Sequence, residues 1–109
     1  MNAEKIQKDI ADSKFFHMNG TILRTLNVIK DSRCGLSSLE FVFRQTTDHN
    51  SFTESIRYLY ESDYIKLMDC NSGNPVDLKE DKFRNTETAL TAKGIQVLRG
   101  IIEDNCIDI

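Results

Sequence analysis

The chain has 109 residues, enough for one domain with a modest core. Its 39% hydrophobic and 28% charged residues are the proportions of a soluble globular protein, and they exclude disordered, collagenous and continuous coiled-coil classes. A net charge of −3 denies it the basic excess usual in nucleic-acid-binding domains, so the distribution of charge has to be followed along the chain.

No apolar run approaches the ~20 residues needed to cross a bilayer. The opening MNAEKIQKDIADSK is polar and mixed in charge, unlike a secretory leader, and a cytoplasmic protein is expected. The cysteines Cys34, Cys70 and Cys106 are odd in number and form no CxxC pair. That argues against both a disulfide framework and a four-cysteine zinc site.

Residues 3–12 place Ala3, Ile6 and Ile10 on one helical face and predict a short amphipathic helix. SKFFHM reads as a hydrophobic connection, and Asn19-Gly20 as a break that can cap a second helix. From Thr21, Ile22, Leu26 and Ile29 share a face widened by Leu23 and Val28, predicting a core helix to about Asp31 closed by the SRCG turn. Ser37 and Glu40 have capping-box spacing, with Leu36 and Phe41 as the hydrophobic staple, so a short helix is expected over 38–45 carrying Leu39, Val42 and Phe43. After the polar turn TTDHN, Ser51 and Glu54 repeat the box and open a third helix. There Phe52, Ile56 and Leu59 point inward, and Thr53, Glu54, Arg57, Tyr58 and Glu61 point outward.

Ser62-Asp63 breaks this helix, and YIKLM then reads as a strand. DCNSGNPVDLKEDK, with the only proline, reads as a long loop, and FRNTETAL as the returning strand of a hairpin. Thr91 caps a last helix carrying Ile95, Leu98, Ile101 and Ile102 through residue 103, with Gly100 inside it. The expected architecture is mainly α with a small β-hairpin: one domain over 1–109, divided into an N-terminal helix or arm (1–18), a three-helix and hairpin unit (19–90) and a C-terminal helix (91–109).

Two strings sharpen that order. IRYLYESDYI resembles the end of the recognition helix in winged-helix regulators of the MarR and PadR type, and ALTAKGIQVL resembles the LTxKG that comes after their wing. The size is also similar to small bacterial and phage winged-helix proteins such as the YjcQ-like family. The resemblance spans about residues 20–104. It implies a winged helix-turn-helix (α-α-α-β-β-α, with an extra N-terminal helix), double-stranded DNA as partner and a role in transcriptional regulation. Asp63 stands where those families place glycine, and aspartate tolerates the left-handed backbone that the turn needs.

On that reading the third helix would contact DNA through Thr53, Arg57 and Tyr58, the wing through Lys79, Lys82 and Arg84, and the flanking backbone through Arg33 and Arg44. The charge argues the other way. Over 48–63, Asp48, Glu54, Glu61 and Asp63 oppose Arg57, a net of −3, and residues 69–87 carry a net of −2. A non-enzymatic protein-interaction module on the same scaffold is therefore the alternative. His17 is expected to pack half-buried beside Phe16, His49 to be a turn or pre-cap residue, and Tyr60 and Tyr64 to close the core. No catalytic motif occurs, and no metal or cofactor is expected. The stripes Ala3/Ile6/Ile10 and Ile95/Leu98/Ile102 either pair two subunits as a homodimer or pack on each other within one chain.

Overall fold

The computed structural model describes residues 2–29, 33–76 and 84–109. In chain order these form α1 (Ala3–Val28), β1 (Cys34–Gly35), α2 (Leu36–Phe43), α3 (His49–Glu61), β2 (Ile65–Asp69), β3 (Thr86–Leu90) and α4 (Ala92–Leu98). The fold is mainly helical, with a small antiparallel sheet in the order β1-β3-β2. No helix among the described residues is long and apolar enough to cross a membrane.

The first correction concerns the amino-terminal third, where the two expected helices are one. α1 starts on Asn2, whose side chain accepts from the Lys5 amide at 2.8 Å, and runs through Asn19-Gly20 without a break. Both of those residues are buried because the end of the chain crosses the helix there. Asn19 Nδ2 donates to Cys106 O at 2.9 Å, and the Asp108 amide donates to Phe16 O at 3.0 Å. A Cβ at Gly20 would collide with the carbonyl of Asp108, so glycine serves close approach rather than a turn. His17 is exposed and faces Asp108, its Nδ1 4.0 Å from the carboxylate, rather than half-buried as expected.

Both expected capping boxes give way to earlier starts. α2 begins at Leu36 after Gly35, with no side-chain cap, because Cys34 and Gly35 pair as β1 with Thr88 and Glu87 of β3. That places Leu36 and Leu39 inward and leaves Phe41 and Val42 in solvent, 63% and 65% exposed, so the Leu36–Phe41 staple does not form. α3 is capped by Asp48, which accepts from the Ser51 amide at 2.7 Å. The same hydrogen bond from Ser51 holds the Asp48 carboxyl below its ordinary pKa.

The expected hairpin forms between β2 and β3, in register Ile65↔Leu90 through Asp69↔Thr86, and β1 makes it a three-stranded sheet. Beyond β2 the chain turns at Gly73 (φ 74°), and Val76 N donates back to Leu67 O at 3.2 Å on the free edge of β2. Asp63 adopts φ 65°, the left-handed turn expected between α3 and β2. Thr91 caps α4 as expected, its hydroxyl accepting from the Gly94 amide at 3.1 Å. α4 nevertheless ends at Leu98. Gly100 lies beyond its end at φ 75° rather than inside it, and the Ile101 amide closes onto Gln96 O at 2.9 Å.

One core joins these elements. Ile22, Leu23 and Leu26 of α1 meet Leu36 and Leu39 of α2, Phe52, Ile56 and Leu59 of α3, Ile65 and Leu67 of β2, and Val97 of α4. Tyr64 lies in this core and Tyr60 packs against it, as expected of both.

Candidate nucleic-acid interface

α3 is fixed on its inner side by Phe52, Ile56 and Leu59, none of which retains solvent exposure. A helix seated by positions 52, 56 and 59 turns 50, 54, 57 and 61 outward. Asn50, Glu54, Arg57 and Glu61 are indeed exposed, as is Ser51 in the first turn. Arg57 takes part in no hydrogen bond or ion pair among the described residues, so its guanidinium is available. The corner between α2 and α3 is held by His49 Nδ1 and Glu40 Oε2 at 2.6 Å.

Two of the three expected α3 contacts are engaged within the fold. Thr53 is buried, and its hydroxyl donates to His49 O at 2.8 Å in the preceding turn. Tyr58 lies edge-on to Phe15 of α1 at 5.5 Å between ring centroids, and its hydroxyl donates to Asp104 Oδ2 at 2.5 Å. Tyr64 donates to the same oxygen at 2.6 Å. Burial, then the bond to Asp104, raises both phenols, Tyr64 to about 12 and Tyr58 further. For Asp104 itself burial works upward, but the two phenols and the Cys106 amide outweigh it and the carboxyl falls below its usual range. Asp104 thus clasps the C-terminal segment to α3 and to the start of β2.

The remaining cations are scattered. Arg44, just past α2, stacks on the exposed Phe41 ring at 4.3 Å from its centroid. Arg33 is exposed, and its guanidinium lies beside Gly73, 3.9 Å from where a Cβ would sit there. Arg84 is exposed in the turn leading into β3. Lys79 and Lys82 lie outside the described residues. Asn50 and Ser51 were not among the expected contacts. The signal that could have found them is Asp48, an N-cap residue placed three positions before the second capping box.

These features define a small α+β domain with an outward-facing helix beside a three-stranded sheet. No family model, curated protein or solved structure matches it.

Proposed function

We propose that this domain is a winged helix that binds double-stranded DNA, with α3 as the helix that enters the major groove and the β2–β3 hairpin as the wing. The order α1-β1-α2-α3-β2-β3-α4, with β1 completing the sheet, supports this reading. The observation that carries it is α3 itself, seated by three buried apolar side chains and free along a polar outer face. On that face Arg57 suits a guanine edge, Asn50 an adenine edge and Glu54 a cytosine amino group. Ser51 and the first-turn amides suit a phosphate. This contact set replaces Thr53 and Tyr58 and keeps Arg57, with Arg33, Arg44 and Arg84 as flanking cations. Lys79 and Lys82 belong to the wing on the same proposal. A transcriptional regulator of bacterial or phage type is the role that such a module serves.

With few cations beside this helix among the described residues, binding should be weak, with a modest salt slope. The test is retention of pooled genomic duplexes over a salt series beginning near 20 mM. The expected result is retention at low salt that falls with a log–log slope of roughly −3 to −5, from three to five phosphate contacts at about −0.9 each. Absence of retention at the lowest salt would refute the reading.

A protein-interaction module is the second reading, and Phe41 and Val42 favour it. Two adjacent large apolar side chains, each more than 60% exposed on α2, are the type of anchor that partner surfaces use. We also propose that the homodimer involves the first part of α1. The C-terminal segment packs across residues 16–24 and leaves Ile6 and Ile10 exposed, so the two terminal stripes do not cover each other. A helical arm of this length is only marginally stable in water without a partner surface.

A further inference from the structure

We propose that the cavity between α1 and the start of α3 is a binding site for a small uncharged amphipathic molecule, one with an aromatic or compact aliphatic body and a single hydrogen-bonding oxygen. The cavity holds about 580 Å3, within the usual range for small-molecule sites. Its apolar wall is built from Phe15 and Met18 of α1 and Phe43 at the end of α2. All three are only half-buried by the protein, so apolar surface remains to be covered.

Ser55 of α3 gives the site its polar end. It lines the cavity, it is fully buried, and its hydroxyl has no hydrogen-bond partner among the described residues. Neighbouring helical hydroxyls do otherwise: Thr53 donates to His49 O, and Thr21 and Thr25 donate to carbonyls four residues back. A buried hydroxyl left unpaired beside an open cavity is a donor and acceptor in want of an oxygen or N–H group.

Charge favours a neutral occupant. In the lining Lys14 stands against Asp48 and Glu54, a formal net of −1 that disfavours an anion, while the Asp48 carboxylate is engaged by the Ser51 amide as the α3 cap and is not left to pair with a cation. A molecule seated there would touch α1 and the first two turns of α3 at once, so its occupancy would be felt at Ser51 and Glu54 on the proposed reading face. The site itself does not depend on DNA binding.

The test uses 2-naphthol, with naphthalene as the probe lacking the hydroxyl, followed by the methyl resonance of Met18 in the full chain. We expect saturable shifts with 2-naphthol, and Ser55→Ala should weaken its binding roughly 3- to 10-fold while leaving naphthalene unaffected, the range for one neutral hydrogen bond. The absence of a saturable shift would overturn the proposal, as would a Ser55→Ala chain that still distinguishes the two probes as the parent does. Should Ser55→Ala fail to fold, intermolecular contacts between 2-naphthol and the Met18 methyl in the parent chain decide the matter: their presence supports the site and their absence overturns it.

Discussion

Replacing Gly20 by alanine tests how the C-terminal segment is held. In an ordinary helix interior this change stabilises by about 1 kcal/mol, because alanine is the better helix former. Here the added methyl would strike the Asp108 carbonyl, a backbone atom that can yield only if the segment moves. Displacement would break Asp108 N to Phe16 O (3.0 Å), Asn19 Nδ2 to Cys106 O (2.9 Å) and Arg24 Nη1 to Asp108 O (3.1 Å). At about 1 kcal/mol each, less for the exposed arginine, these bonds amount to about 2–3 kcal/mol. Ile107, only 8% exposed, would lose about 1–2 kcal/mol of burial. Against the gain of about 1 kcal/mol in helix propensity, the net effect is a loss of about 2–4 kcal/mol. Urea denaturation of the parent and Gly20→Ala chains measures it. The control is the same substitution in a chain ending at Asn105, where the obstruction is gone and alanine should stabilise. Stabilisation by Gly20→Ala in the full chain would refute the reasoning.

The same contacts set other outcomes. Phe52→Ala, at a position with no solvent exposure, should cost about 3–5 kcal/mol in urea denaturation, a large share of the about 5–15 kcal/mol that holds a domain folded. Stability should fall at both pH extremes through the Asp104 clasp. The Asp104 carboxyl is depressed in the fold, so its contribution is present above its unfolded value and lost as pH falls through the folded one. The raised phenols contribute fully below pH 10, and Tyr64 loses its share as pH rises towards about 12. Asp104→Asn should flatten the acid limb of a Tm-against-pH curve, and an unchanged limb would count against the clasp. Light scattering at micromolar concentration should give twice the monomer mass, and Ile6→Lys/Ile10→Lys should return it to the monomer; a monomeric parent would rule out the homodimer.

How much of this was legible in the sequence depends on how local each cause is. The α3 stripe of Phe52, Ile56 and Leu59, the β2–β3 pairing and the Thr91 cap were readable because period and turn chemistry lie within a few residues, whereas the left-handed Asp63 was expected only from the resemblance. Asn19-Gly20 misled because a poor helix-forming pair is tolerated where residues nearly ninety positions away supply the compensating contacts. The two Ser–Glu boxes misled for a different reason. Each is a sound local signal, but Asp48 caps α3 three residues sooner, and the pairing of Cys34 and Gly35 with β3 fixes where α2 can begin. Two residues carry no periodicity, so β1 could not be found from pattern alone.

The candidate face was legible to the same degree. Arg57, Glu54 and Glu61 follow from the buried stripe and are exposed as expected. Thr53 falls beside that stripe and is drawn under by its neighbours, and Tyr58 is held by Asp104 across 46 positions, a tie that no local pattern announces.

The most direct measurement is amide chemical-shift mapping of the labelled protein with a mixed-sequence 20-base-pair duplex at low salt. Our account predicts that the largest changes fall at Asn50, Ser51, Glu54 and Arg57, and that Arg57→Ala abolishes them. Changes centred on Phe41 and Val42, or none at any duplex concentration, would contradict it.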